Sequence, residues 1–180
     1  MPIMPGTHEL GPENGNLRIE TRRRGAAAKA GHDLVIEVSS WEGTLQVGED
    51  PGQNSLTLSA DSGSMEVIEG TGGIKALTDE DKVEIKKTLE AEVLQPGQVE
   101  FKSTAVTPMD DGERLKVSGE LSMNGNVHPL DFELEFGPDG AVSGRATVKQ
   151  SDWGIEPYSG LFGTLKVRDE VEVVGEASLS

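Results

Sequence analysis

Cysteine is absent from the 180 residues of the chain, which excludes a disulfide framework and any thiolate nucleophile or metal ligand. Long apolar runs are also missing, because no stretch approaches the ~20 apolar residues that a helix needs to cross a bilayer. Basic residues are scarce relative to acidic ones, 16 against 32, so the formal net charge is −16. A surface of this sign repels phosphate backbones and anionic lipids, and we expect no nucleic-acid partner and no membrane-spanning segment.

The first residues lack the basic segment and apolar run that are typical of a secretory signal peptide. Residues 22–24 (RRR) resemble a twin-arginine motif, but residues 25–29 (GAAAK) are too short and too weakly hydrophobic to follow it as a signal core. We therefore expect a cytoplasmic protein.

Apolar and polar residues alternate along most of the chain, which predicts β-strands with one apolar face and one solvated face. In one such run, the inward positions are predicted to be Val99, Phe101, Ser103 and Ala105. Comparable runs start at Leu17, Leu34, Leu56, Met65, Leu115, Leu130, Val142 and Leu165. The sequence therefore predicts an all-β protein with about eight amphipathic strands.

Turn sequences separate neighbouring strands at residues 110–112 (DDG), 124–126 (NGN) and 138–140 (PDG). Links this short require antiparallel pairing, since parallel strands need a long crossover. Closing the sheet on itself buries every apolar face and removes the sheet edges. We predict an up-and-down barrel, with a two-sheet sandwich as the alternative, and one domain over residues 1–180.

One segment departs from the two-residue period and predicts a helix over about residues 78–94. Thr78 is a suitable N-cap, and residues 79–81 (DED) are acidic where the helix dipole favours negative charge. Ile85, Leu89 and Val93 then recur every four residues and predict one apolar face. The helix should end before the Pro-Gly pair at residues 96–97 and pack on the barrel as a lid or flank.

The sequence contains little that predicts catalysis. The three histidines His8, His32 and His128 are far apart and lack the spacing of a metal site. No nucleophile elbow, phosphate-binding loop or dinucleotide fingerprint is present, and the glycine-rich residues 70–73 (GTGG) lack a following lysine. We expect no catalytic residues, no bound metal, no cofactor and no enzymatic activity.

Large apolar residues stand on the predicted inward strand faces among small ones such as Gly119 and Gly144. The large residues are Phe101, Leu121, Met123, Phe132, Leu134, Phe136, Trp153 and Phe162. An eight-stranded barrel is wide enough either to be filled by side chains or to hold one small ligand. The residues alone leave both a packed core and a ligand tunnel open.

Seven short motifs stand out in the chain: residues 101–104 (FKST), 117–125 (VSGELSMNG), 127–130 (VHPL), 151–155 (SDWGI) and 165–171 (LKVRDEV), with 31–34 (GHDL) and 41–45 (WEGTL) nearer the start. These motifs resemble those of the YceI-like polyisoprenoid-binding proteins. The resemblance implies a lipocalin-like, eight-stranded antiparallel barrel with a helical insertion. It also implies an isoprenoid chain held inside the barrel.

On this resemblance we expect a non-catalytic carrier of an isoprenoid or other lipid, with a homodimer as its assembly. The alternative is a stress-related interaction protein with a closed core and no ligand. His32 is the candidate for the barrel mouth, unless it only hydrogen-bonds a neighbouring strand or Asp33. The other predicted ligand-binding residues are Phe101, Val117, Leu121, Met123, Phe132, Leu134, Trp153 and Phe162.

Overall fold

A computed structural model describes residues 4–24, 33–71, 78–94, 96–156, 159–160 and 165–179. These residues form antiparallel β-structure with one helical segment. The strands are β1 Gly6–Leu10, β2 Gly15–Glu20, β3 Arg23–Arg24, β4 Asp33–Val38, β5 Trp41–Val47, β6 Ser55–Asp61, β7 Met65–Thr71, β8 Gln98–Met109, β9 Arg114–Met123, β10 Asn126–Phe136, β11 Ala141–Lys149, β12 Ser159–Gly160, β13 Leu165–Val167 and β14 Glu170–Ser178. Short 3-10 turns lie at Pro51–Gln53, Ser62–Ser64, Asp110–Gly112, Pro138–Gly140 and Gln150–Trp153.

Three pairs of consecutive strands behave as single bent strands. Only Ser39 and Ser40 separate β4 from β5, and the turn Ser62–Ser64 joins β6 to β7. Since β4 pairs with β7 and β5 pairs with β6, these two bent strands stay side by side through their bends. The bent strand β1–β2 follows the other side of β4–β5, with β1 on β5 and β2 on β4.

Pairing closes the main sheet into a ring. β6 pairs with β8, and the neighbours β8–β9, β9–β10, β10–β11 and β11–β14 follow in antiparallel register. β14 then pairs with β2, which returns the ring to the first bent strand. The main sheet has eleven strands, and counting each bent strand once gives eight. The predicted antiparallel barrel is confirmed, rather than the two-sheet sandwich.

A β-bulge in β8 corrects one predicted strand face. The pairing of β8 with β9 shifts register between Ser103 and Ala105. The extra residue, Thr104, reverses the alternation, so Ala105 is exposed and Val106 is buried. The prediction that Ala105 points inward is therefore wrong, because a period-two pattern cannot reveal where a strand carries one additional residue.

The hairpin between β9 and β10 has the turn chemistry that its sequence predicts. Asn124 and Gly125 both adopt positive φ, at 54° and 74°. A two-residue turn of this kind matches the right-handed twist of antiparallel strands and favours Asn-Gly. The hairpin sets the register in which Met123 pairs with Asn126.

The predicted helix is present as α1 Asp79–Thr88, which continues into a π-helical turn at Leu89–Val93. Thr78 caps its N-terminus through a capping box with Asp81. The helix packs against β7, and Lys86 forms an ion pair with Glu66 of that strand at 3.8 Å. No helix in the described ranges is both long and apolar enough to span a bilayer.

The helix lies where β7 diverges from β8. At the end of β6, Ser62 is buried and makes three hydrogen bonds with Gly97, which precedes β8. Helix α1 belongs to the segment that connects β7 to β8. Ile85 and Leu89 of this segment pack on the apolar residues of β4 and β7. The helix therefore covers one end of the barrel.

Candidate ligand-binding cavity

The barrel contains a cavity of about 650 Å³. Residues from both ends of the strand order contribute to its wall, including Leu10 of β1 and Met65 of β7. Apolar side chains of nearly every strand of the ring complete the wall, among them Ile19, Ile36, Trp41, Leu58, Phe101, Leu121, Met123, Phe132, Leu134, Val148, Val171 and Val173. Cavities of this size and character are typical of sites for small apolar or amphiphilic molecules.

One end of the barrel is filled by side chains. Six buried residues of the main core do not line the cavity: Trp153, and five that we name the packed layer, Leu45, Val106, Leu115, Val117 and Phe136. Val106 lies eight residues further along β8 than Gln98, the end of the strand that is nearest to α1. On β8 the packed layer therefore lies beyond the cavity, on the side away from the helix.

Helix α1 forms the opposite boundary of the cavity. Ile85, Leu89 and Val93 line it from the C-terminal half of the helical segment, as the four-residue spacing predicts. Asp81 and Glu84 line it from the first half. The inner face of the helix thus changes from acidic at its start to apolar at its end.

The buried polar side chains that line the cavity have partners within the protein. Thr21 Oγ1 accepts a hydrogen bond from the Leu34 amide at 3.2 Å, and Gln150 Nε2 donates to the Arg168 carbonyl at 3.1 Å. Among the described residues, the buried side-chain atom without a partner is Nε of Arg18, a residue that does not line the cavity. Within the described ranges, the cavity wall therefore presents mainly apolar surface, and its buried polar side chains already have hydrogen-bond partners.

The family model of the YceI-like domain matches residues 12–179. The chain belongs to this family. The match covers the helix and every strand of the barrel except β1, and it confirms the resemblance found in the sequence motifs.

Solved structures with the same fold include three from different bacteria. BcnA of Burkholderia cenocepacia has a TM-score of 0.65 at 16% identity, with 90% of this chain and 94% of that chain covered. A polyisoprenoid-binding domain from Saccharophagus degradans, implicated in plant cell wall breakdown, has a TM-score of 0.57 at 10% identity, with 97% and 99% covered. The YCEI protein of Campylobacter jejuni has a TM-score of 0.52 at 13% identity, with 79% and 83% covered. A search of the curated proteins found no match.

The YceI-like barrel brings five of the predicted ligand-binding residues to the cavity wall: Phe101, Leu121, Met123, Phe132 and Leu134. Val117 and Trp153 are buried, at 0% and 2% exposure, but do not line the cavity. His32 and Phe162 lie outside the described residues. Contact between any of these residues and a ligand stays a prediction.

Trp153 occupies the corner after β11 rather than the cavity. Its indole Nε1 donates to the Leu121 carbonyl at 2.8 Å. The Trp153 carbonyl accepts from Nδ2 of Asn124 and Nδ2 of Asn126, at 3.0 and 2.8 Å. These bonds tie the 150–153 turn to the β9–β10 hairpin, so the structure gives Trp153 a role in packing.

Sequence reasoning missed several cavity residues on other strands. Trp41, Ile36 and Val171 line the cavity, and each stands in an alternating run that points its apolar residues inward. The alternation could have identified them, but apart from His32 the predicted ligand-binding residues all lie from Phe101 onward, and Val171 is smaller than most of them. Leu10 also lines the cavity, and it belongs to β1, a strand whose sequence does not alternate clearly.

Two of the three histidines lie in described strands and do not form a metal site. His8 Nε2 is 2.9 Å from the Met4 carbonyl, and the exposed His128 has its ring 5.6 Å from that of Trp153, edge to face. Across the described part of the chain, no three His, Cys, Asp or Glu side chains converge as metal ligands would.

Replacing Leu89 with aspartate tests whether the helix seals the cavity. Leu89 is half-buried against the barrel and lines the cavity, so the substitution places a carboxylate without a partner in apolar surroundings, at a cost of about 1–3 kcal/mol. We expect a lower Tm and faster loss of a bound apolar probe. Val83→Asp, at a residue of the same helix that is 53% exposed, is the control and should leave both unchanged. An unchanged Tm for Leu89→Asp would mean that the helix does not pack on the barrel.

Proposed function

We propose that this YceI-like protein is a non-catalytic carrier that holds an isoprenoid or another apolar or amphiphilic lipid inside its barrel. The observation that supports this most directly is the apolar cavity of about 650 Å³ between the packed layer and α1. A core filled throughout by side chains would leave no such volume, since protein interiors pack about as densely as organic crystals. The closed-core alternative is therefore disfavoured.

The chemistry of the wall indicates how the ligand would be held. Each methylene moved from water into the cavity contributes about 0.8 kcal/mol, whereas the buried polar groups of the wall already have partners. The hydrocarbon tail would therefore lie among the strands, and a polar head would lie near the start of α1, where Asp81 and Glu84 line the cavity. The naming of a structural relative as a polyisoprenoid-binding domain supports an isoprenoid tail. The homodimer implied by the family resemblance remains part of the proposal.

Extraction of the purified protein with organic solvent, followed by mass spectrometry, tests the proposal. We expect a prenyl or acyl compound at close to one molecule per barrel. A protein that yields no such compound, and that takes up no fluorescent prenyl or acyl probe after the extraction, would have the closed core of the alternative.

Substitution of the histidines tests the proposal that the protein is not catalytic. His128 is exposed near the β9–β10 hairpin, with its ring edge to face with that of Trp153, and no base or nucleophile is hydrogen-bonded to it among the described residues. His128→Ala, and His32→Ala at the predicted mouth, should therefore leave probe retention intact or weaken it only modestly. If the protein hydrolysed an ester or phosphate substrate and either substitution abolished that activity, the carrier proposal would be wrong.

A further inference from the structure

We propose that the basic face formed by β3 and β13 docks on membranes that contain anionic lipids and holds the helix-bearing end of the barrel against their headgroups. Four residues belong to this face, which we name the basic cluster: Arg22, Arg24, Lys166 and Arg168. Docking goes beyond the proposed carrier function, because it does not depend on what the cavity holds.

Negative charge is unevenly distributed along the chain. Residues 21–24 (TRRR) and 165–168 (LKVR) contain five basic residues and no acidic one, which leaves 11 basic residues against 32 acidic ones in the rest of the chain. An anionic membrane attracts clustered Lys and Arg side chains and repels an acidic surface. The membrane therefore attracts these two segments and repels most of the remaining surface.

The backbone brings the two basic segments together. Lys166 is paired directly with Arg24, and the pairing extends by one residue, since the Arg168 amide donates to the Arg22 carbonyl at 2.9 Å. Residues two apart on a strand share a face, and so do residues directly opposite each other. The four positions of the basic cluster therefore lie on one face of this strand pair, where Arg22 and Arg168 are exposed.

This arrangement is unfavourable without an external anion, because like charges directly opposite each other destabilise paired strands. Carboxylates near the basic cluster include Glu20, Asp33 and Asp169. Glu20 is shared, since its Oε1 lies 3.5 Å from Nη2 of Arg22 and 3.2 Å from Nη1 of Arg145. Both carboxylate oxygens of Asp169 accept hydrogen bonds from Ser151. Even if all three carboxylates are counted against the basic cluster, positive charge remains in excess.

The basic cluster lies at the helix-bearing end of the barrel. Antiparallel neighbours alternate in direction from β8 through β9, β10, β11 and β14 to β2, so β2 ends where β8 begins. Strand β3 follows β2 at this end. Thr21, directly before Arg22, and Val167, between the two basic residues of β13, line the cavity. Docking through the basic cluster therefore brings this part of the cavity wall beside the headgroups.

Distance reduces repulsion from the acidic residues at the far end of the barrel. Strand β9 has ten residues and is about 33 Å long, so even a tilted strand extends over more than two Debye lengths of about 10 Å at 0.1 M salt. The acidic start of α1 lies at the same end as the basic cluster, but β4 and β7 separate the helix from β2. We therefore expect the membrane to contact the side of the barrel that carries β3 and β13.

Flotation with lipid vesicles tests the docking. Vesicles of equal parts phosphatidylglycerol and phosphatidylcholine should bind the protein at about 0.1 M salt, and pure phosphatidylcholine vesicles should not. Binding should be lost in about 1 M salt, where the Debye length is about 3 Å. Equal binding to both kinds of vesicle, or binding that persists in high salt, would overturn the proposal. Soluble glycerol phosphate should not release the protein, and release by it would indicate a site for a single anion instead of a membrane surface.

The double variant Arg24→Gln with Lys166→Gln tests the basic cluster. Each basic residue at an anionic surface contributes roughly fivefold to partitioning, so this variant should bind the mixed vesicles about 25-fold more weakly. Its Tm should not fall, because a like-charge pair is removed. Uptake of a prenyl probe from micelles should be unchanged, so that lost docking is distinguished from lost carrier function.

The matched control is Lys102→Gln with Lys116→Gln. These two lysines are exposed on β8 and β9, so the control makes the same change in net charge away from the basic cluster. It should bind the mixed vesicles as the unmodified protein does. If the two double variants bound equally well, net charge alone would govern membrane binding and the basic cluster would not be the docking surface.

Discussion

Replacing Trp153 with alanine is expected to lower the free energy of unfolding by about 3–5 kcal/mol, as is typical of deleting a large buried aromatic side chain. Trp153 is 2% exposed and is among the largest fully buried side chains of the barrel. Its removal would leave a void at the corner between β11 and the β9–β10 hairpin, and the Leu121 carbonyl would lose its indole donor. Thermal or denaturant unfolding of the ligand-free protein measures the loss.

Trp153→Phe separates the packing role of this residue from a role in binding. Phenylalanine keeps much of the ring volume but removes the indole N–H, so we expect a loss of only about 1–2 kcal/mol. Because Trp153 does not line the cavity, probe uptake by this variant should equal that of the unmodified protein. Lost uptake with unchanged stability would instead mean that the ligand contacts Trp153, as was predicted from the sequence.

The parts of the fold that could be predicted from the sequence are those fixed by local chemistry. The Asn124-Gly125 turn requires positive φ at both residues, and such turns have a recognisable sequence. The helix is similarly local, since Thr78 and the acidic first turn determine its start and the spacing of Ile85 and Leu89 determines its inner face.

The bends and the bulge depend on distant parts of the chain. Ser39 and Ser40 interrupt the alternation without ending the strand, because β6–β7 bends beside them and Asp61 donates its amide hydrogen to the Ser40 carbonyl. The register shift at Thr104 likewise becomes visible only when β8 is paired with β9. Such features depend on which strands are neighbours and on how they pair, and the sequence alone does not reveal this pairing.

The choice between a packed core and a tunnel also required the structure, since both are present in one barrel. Leu115 and Leu134 are directly paired across β9 and β10, yet Leu115 belongs to the packed layer and Leu134 lines the cavity. Their sequence environments are alike, with charged residues on either side. What differs is the position of each side chain relative to the opposite wall, and this is a property of the closed ring.

This pair of leucines provides the sharpest test of the cavity. Leu134→Trp adds volume that an empty cavity of about 650 Å³ can absorb, so we expect little loss of stability and a loss of ligand uptake. Leu115→Trp is the matched control: at 2% exposure the added ring has no space, and overpacking should cost about 1–3 kcal/mol or more. The two variants therefore make the same chemical change with opposite expectations for stability.

Two measurements on ligand-stripped protein decide between a carrier and a closed core. The first is the Tm of each variant, and the second is the uptake of a fluorescent prenyl or acyl probe. Lost uptake at nearly unchanged Tm for Leu134→Trp, beside a clearly lowered Tm for Leu115→Trp, would support a cavity that ends at the packed layer. If Leu134→Trp lowered the Tm as much as Leu115→Trp does, and the unmodified protein took up no probe, the barrel would be closed throughout. The asymmetry follows from packing density, because added volume is tolerated only where the native side chains leave space unfilled.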